Sequence, residues 1–236
     1  MQGMAINMTN SNVSLARLLQ LSSVSLPVGG YAFSQGMEYG IECGWINNSA
    51  DVEEWIRLQL SENMVRVDLP LLHFVMKSYE QKNWTHLVHL NDLALASRET
   101  KELRLADIAM GGALLRLLRS LNFNLTPFDD ANYLANDEHS FVVLFAYAAA
   151  AWGIDSSSAA TGLIWSWLEN QVAAATKLVP LGQTQAQQLL TMFQTEIDST
   201  IALSACVKES EIGGGLPALA IASALHETQY SRLFRS

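Results

Sequence analysis

The chain has 236 residues, half of them apolar and only 16% charged, and its 14 Lys+Arg against 23 Asp+Glu leave a formal net charge of −9. A chain this long buries enough apolar surface to fold without staples, and its two cysteines, Cys43 and Cys206, supply neither a disulfide framework nor a thiolate metal cage. The densest basic stretch, Arg98 to Arg104, is interleaved with Glu99 and Glu102, so the clustered cations that nucleic acid or an anionic membrane surface requires are missing.

Residues 1–12 are polar, lack the basic-then-apolar pattern of a secretory signal, and read as a disordered leader. Ser14 predicts the cap of a helix through about Ser23, Leu26-Pro27-Val28-Gly29-Gly30 a loop, and 31–43 a second helix stopped by Gly44. Asn48, with Asp51 three residues on, predicts the start of a helix that runs to about Val67 and is interrupted or kinked by Pro70. Further helices are expected near 70–79, 84–95, 98–121, 127–135 and 139–152. Asp155 caps one through about Leu178; Pro180-Leu181-Gly182 separates it from 184–209, and three glycines, Gly213 to Gly215, precede a last helix at 217–227.

Two apolar stripes support the helical reading. One joins Leu103, Ala106, Met110, Leu114, Leu117 and Leu121, the other Leu189, Phe193, Ile197 and Ile201, with steps of three or four. No sustained apolar–polar alternation and no Asn-Gly or Asp-Gly turn between β-branched runs predicts a strand. The expected fold is all-α, a single-domain bundle of about nine or ten helices over residues 13–225. The longest strongly apolar run, Phe141 to Ile154, falls short of the roughly 20 residues a bilayer needs and reads as a buried core helix.

Catalytic and metal motifs are absent from the sequence where they would be expected. Neither glycine cluster leads into the lysine of a phosphate-binding loop, so the chain is not expected to hydrolyse GTP or ATP itself. His226-Glu227-Thr228-Gln229-Tyr230 has tyrosine where a zinc protease needs its second histidine, and no Glu-x-x-His tetrad serves a di-iron centre. His86 and His89 share a helix face without further ligands. His139 follows Asp137 and Glu138 at a helix start, where acids suit the N-terminal dipole. Ser34 lacks the elbow of a nucleophilic serine. No catalytic residue, metal ligand or cofactor site is therefore expected.

Two features ask for more. Between Arg119 and Lys208 stand eight acidic residues and one cation, Lys177, which is either paired internally or held out for a partner. The last eleven residues, His226 to Ser236, combine Tyr230, Leu233 and Phe234 with Arg232 and Arg235, the composition of an interface anchor that orders on docking.

Four stretches together resemble the UreF family of urease accessory proteins. They are Leu26-Pro27-Val28-Gly29-Gly30-Tyr31-Ala32-Phe33-Ser34-Gln35-Gly36-Met37-Glu38 preceded by Leu18-Leu19-Gln20-Leu21, then Ser97-Arg98-Glu99-Thr100-Lys101-Glu102-Leu103-Arg104, then Lys177-Leu178-Val179-Pro180-Leu181-Gly182-Gln183-Thr184, and finally His226 to Ser236. The leader before Leu15 and the segment from Leu125 to Glu138 carry no part of the match. The resemblance implies a cytoplasmic, homodimeric, non-enzymatic adaptor. It would bind UreD (also called UreH), recruit the GTPase UreG, and engage apo-urease for GTP-dependent nickel insertion. Partner contacts are then expected at Lys177, Gln183, His226, Glu227, Tyr230, Arg232, Leu233, Phe234 and Arg235, with 226–236 as a partner-binding tail. Gly29 and Gly30 are expected to permit a tight turn, Phe33 and Met37 to be core, and Arg98 and Glu102 to form an exposed pair one helical turn apart. Two rival readings are a small helical enzyme using His139 or His226 as acid–base, and a nickel carrier using His86 and His89.

Overall fold

A computed structural model describes residues 11–129 and 138–235. Among these residues every regular element is helical. In chain order they are α1 (Ser11–Leu21), a 3₁₀ turn (Gly30–Ala32), α2 (Met37–Glu42), α3 (Ser49–Gln59), a π-helical segment (Leu60–Asp68), α4 (Leu69–Glu80), α5 (Trp84–Ala96), α6 (Lys101–Ser120), α7 (Thr126–Asp129), α8 (Phe141–Ala151), α9 (Ser156–Leu178), α10 (Gln183–Gln194), α11 (Ile197–Ser204), a second 3₁₀ turn (Glu209–Glu211) and α12 (Pro217–His226). The expected all-α class holds. The first ten residues of the expected leader and most of the helix expected at 127–135 lie outside the described residues; α1 is already helical at Ser11.

The apolar run reads out as anticipated. Val142 to Ala149 are buried on every side, making α8 the axis of the bundle, with α4 and α6 packed along it and α5 and α9 completing the wall. Helix starts are set by side chains that accept otherwise orphaned amide hydrogens. Asn48 accepts from Ala50 and Asp51, Asn83 from His86, Thr100 from Leu103 and Asp155 from Ser158. Helix α8 differs, because its N-terminus is met from another helix: Asp107 of α6 accepts from the Phe141 amide at 2.8 Å and from Ser140 Oγ at 2.9 Å. Gly111, one turn beyond Asp107, lets the two chains touch, since a Cβ there would lie 1.9 Å from the His139 carbonyl oxygen.

Pro70 does not end its helix. The preceding turn widens instead, with the Leu69 amide donating to the Met64 carbonyl five residues back. That register keeps the proline ring clear of the helix ahead of it, and the Arg66 carbonyl, left without its usual amide, accepts from Gly213 at 3.3 Å. The helix expected over 31–43 divides at Gly36, where φ is +78° and a side chain would press on Leu219 and Ala222 of α12. The helix expected over 184–209 divides at Thr195–Glu196, and its stripe survives the break: Leu189, Phe193 and Ile197 are buried and Ile201 half-buried.

Candidate partner-binding site

The C-terminal segment folds back onto the chain and is held by two buried carboxylates. Glu38, in the first turn of α2, accepts from the backbone amides of Leu233 at 2.6 Å and Phe234 at 2.9 Å. Glu102, in the first turn of α6, receives Arg232 Nη1 at 3.1 Å. Between them sits His226, the fully buried last residue of α12, with Nδ1 2.9 Å from Glu102 and Nε2 3.1 Å from Glu38. The ring bridges the two carboxylates, one through each nitrogen. An imidazole and a guanidinium thus answer two acids, the arrangement that lets charge be buried at tolerable cost.

Further contacts fix the segment's position. The Arg235 amide donates to the Ala32 carbonyl at 2.8 Å, joining the tail to the 3₁₀ turn. Phe234 is buried to 6% exposure, and Lys177 Nζ lies 5.5 Å from its ring centroid, a cation–π distance. Upstream, Ser223 of α12 and the α6 cap Thr100 share a hydroxyl–hydroxyl hydrogen bond of 2.7 Å. Facing outward from this anchored segment are Tyr230, Leu233, Arg235 and Glu227, while Tyr31 and Leu105 are exposed on the turn and helix beneath. Phe33, Leu105, Ala106 and Ala109 floor an adjoining groove, with Lys101, Arg232, Arg235 and Glu227 at its sides.

The sequence model of the UreF family matches residues 46–194. A urease accessory protein UreF from Marinomonas sp. (strain MWYL1) is 58% identical over all 236 residues and the whole of that protein. The chain belongs to the UreF family. Other relatives agree: a urease accessory protein UreF from Azoarcus sp. (strain BH72) is 42% identical over 99% of this chain and 100% of its own length, and one from Chromohalobacter salexigens is 41% identical over 95% of each.

Each of the four stretches that carried the UreF resemblance contributes to one place in the fold: the turn and Glu38 from the first, Thr100 and Glu102 from the second, Lys177 from the third, and His226 to Arg235 from the last. Of the residues singled out as partner contacts, His226 and Phe234 are buried inside the chain, whereas Tyr230, Leu233, Arg235 and Glu227 are presented to solvent. Arg232 is divided, its side chain 40% exposed while one nitrogen holds Glu102. Gln183 is exposed at the start of α10.

The pair expected of Arg98 and Glu102 is not formed. Helix α6 begins only at Lys101, behind the Thr100 cap, so Arg98 is not one helical turn from Glu102. Arg98, only 16% exposed, instead donates Nε to Asp107 at 3.0 Å and Nη2 to Asp68 at 2.7 Å. Burial works to lower its pKa, but the charges of Asp107 and Asp68 outweigh that effect and hold it well above the usual arginine value. Of the two acids that matter most here, Glu38 has no role in the sequence reading beyond its place in a motif, and Glu102 is expected there only as the partner of Arg98. Their partner lies 188 and 124 residues away, a pairing no spacing reveals. The available signal was an acid in the first turn of a helix inside each of two quoted motifs.

Two other histidines share one carboxylate. His86 Nε2 lies 2.9 Å and His89 Nε2 3.7 Å from one oxygen of Glu209, with His86 Nδ1 on Ser78 at 2.7 Å. Among the described residues no group of three or more His, Cys, Asp or Glu side chains is placed to hold a metal ion. His139 is buried edge-on against Phe128. Asp137 lies outside the described residues, and Glu138 pairs with Arg104 at 2.6 Å while Asp107 serves the helix start. Both cysteines are exposed and free. No helix among the described residues is long and apolar enough to cross a membrane.

Proposed function

We propose that this chain is a urease maturation factor of the adaptor kind, a non-enzymatic protein that joins UreD (UreH) and the GTPase UreG on apo-urease during GTP-dependent nickel insertion. The family to which it belongs supports the maturation role. The observation that carries the adaptor reading is the anchored tail. A buried four-group cluster fixes residues 226–235 so that Tyr230, Leu233, Arg232 and Arg235 stand outward on a pre-ordered surface, the aromatic, aliphatic and arginine mix of an interface anchor. Pre-ordering removes an entropic cost that a loose tail would meet on binding. In this reading the body, residues 13–225, supplies the platform and 226–236 the contact, the protein acts as a cytoplasmic homodimer, and nickel is cargo handled by the assembly rather than a cofactor of this chain.

The docking geometry separates anchoring residues from contacting ones, and the experiment exploits that separation. Tyr230→Ala combined with Leu233→Asp removes outward side chains while leaving the Glu38 hydrogen bonds, which use the Leu233 backbone. Co-purification with UreD should fall at least tenfold, and urease activation in cells lacking the native gene should fall with it, while the far-ultraviolet circular dichroism stays unchanged. Full capture of UreD by the double variant would remove the tail from the mechanism. Normal nickel loading of urease in cells lacking this chain altogether would remove the maturation role.

A further inference from the structure

Helix α6 turns a line of residues outward. Lys101, Leu105, Ala109 and Arg116 are exposed and Gly112 is half-buried among them, a spacing of threes and fours that follows one helix face. Small or apolar residues fill the middle and a cation stands at each end. Both acids of α6 point inward: Glu102, 7% exposed, meets His226 and Arg232, and Asp107, 4% exposed, meets Arg98. No acid among the described residues pairs with Lys101, Arg116 or Arg235. In a chain of net charge −9 this outward line is therefore cationic. Gly112 is the informative position. Its neighbour Gly111 is required by the His139 carbonyl, but a side chain at Gly112 would meet only Arg116 Nη1, at 3.5 Å. Glycine inside a helix costs about 1 kcal/mol against alanine, and nothing among the described residues asks for it. Bare backbone on an uncovered face suits a second backbone approaching from outside. Alongside runs the groove between α6 and the tail, about 480 Å³, floored by Leu105, Ala106 and Ala109, with Lys101, Arg232 and Arg235 at its sides; its acids are Glu102, already engaged, and Glu227.

We propose that the outward face of α6 docks an acidic amphipathic helix of a partner protein, its carboxylates over Lys101, Arg116 and Arg235 and its apolar stripe on Leu105, Ala109 and Gly112. Charge complementarity sets the sign of the partner. Spacing sets its form. Lys101 and Arg116 stand about 22 Å apart along the axis at 1.5 Å per residue, a span that a rigid helix of about four turns covers with acids at both ends. Side-chain size sets the class of partner. Alanine and glycine let two helices approach to the short end of the roughly 8–10 Å range, whereas a bilayer surface would want several large apolar groups and finds only Leu105 along this line. The face lies beside the tail contact, and its occupation does not depend on the adaptor reading.

The probe is a leucine–alanine helical peptide whose leucine stripe is flanked by glutamates. It is compared with its scrambled isomer, with the same peptide carrying lysine for glutamate, and with phosphatidylserine vesicles, each titrated into the ¹⁵N-labelled full chain. The acidic helix should shift the Ala109 and Gly112 amides saturably and bind at least fivefold more tightly than the scrambled and lysine peptides. Its binding should weaken with salt, because the Debye length contracts from about 10 Å at 0.1 M to about 3 Å at 1 M. Lys101→Glu combined with Arg116→Glu should weaken it at least fivefold, and so should Gly112→Leu, which fills the approach, with the far-ultraviolet circular dichroism of both unchanged. The proposal is overturned by no saturable shift from the acidic helix, by equal binding of the scrambled isomer, by shifts confined to the tail amides, or by folded variants that bind as the parent does. Uptake of the chain by the vesicles in place of a peptide shift would overturn it too, by making this a membrane face. The peptide comparison needs no variant and so holds even if one of them fails to fold.

Discussion

Two buried charge clusters sit in this fold, built from the same chemistry and serving opposite purposes. Arg98 with Asp68 and Asp107 joins the π-helical segment, α6 and, through Asp107, the start of α8, all of them parts of the bundle. His226 with Glu38, Glu102 and Arg232 joins α2 and α6 to a chain end. The first cannot open without opening the core. The second can open by releasing ten residues, since the tail's other attachments are one buried ring and a few backbone hydrogen bonds. Buried ion pairs are weak evidence for stability as such; what they do depends on whether the pieces they join can separate.

Three substitutions sharpen that contrast, beginning with the largest expected effect. Arg98→Met leaves Asp68 and Asp107 buried without their cation and should cost about 3–5 kcal/mol of global stability in urea titrations, with α8 losing hydrogen-exchange protection. His226→Ala removes the ring that bridges Glu38 and Glu102 and should cost less, about 1–3 kcal/mol, because the tail can lift and admit water. Its distinctive signature is local: tryptic cleavage after Arg232 should accelerate at least tenfold while α8 remains protected. Equal global losses for the two variants would show that both clusters belong to one cooperative unit. Lys177→Glu is the mildest. It exchanges an exposed cation–π contact worth about 0.5–1 kcal/mol, so the melting temperature should move by no more than about 2–4 °C, and a larger drop would show that Lys177 is an essential part of the tail's seat.

Much of the helical architecture was legible because its signals are local. Caps at Asn48 and Asp155 and the unbroken apolar run of α8 need only near neighbours. The errors came where distant groups decided. Pro70 is expected to interrupt or kink its helix; the helix is not ended but locally widened, and the Gly213 amide takes up the freed carbonyl. Gly36 looked like part of a helix until α12 arrived from 180 residues downstream to pack against it. Arg98 and Glu102 were paired by spacing, whereas Thr100 starts the helix between them and each turns to a partner elsewhere. Spacing alone allows Lys177 either an internal or an external role; the structure sets it over the Phe234 ring. The tail's composition was readable, its docking was not, because the receptor is made from acids that ordinary helix starts also use.

Asp107 places a limit on how this sequence can drift. One carboxylate oxygen meets the Phe141 amide and the other serves both Ser140 and Arg98, so the position demands two acceptors on a short stem. Asparagine offers one oxygen, and glutamate reaches a methylene too far. A lineage that loses the acid must therefore re-engineer the arginine and the entry to α8 in the same step, and positions 98, 107 and 140 can be expected to vary as a set or hardly at all.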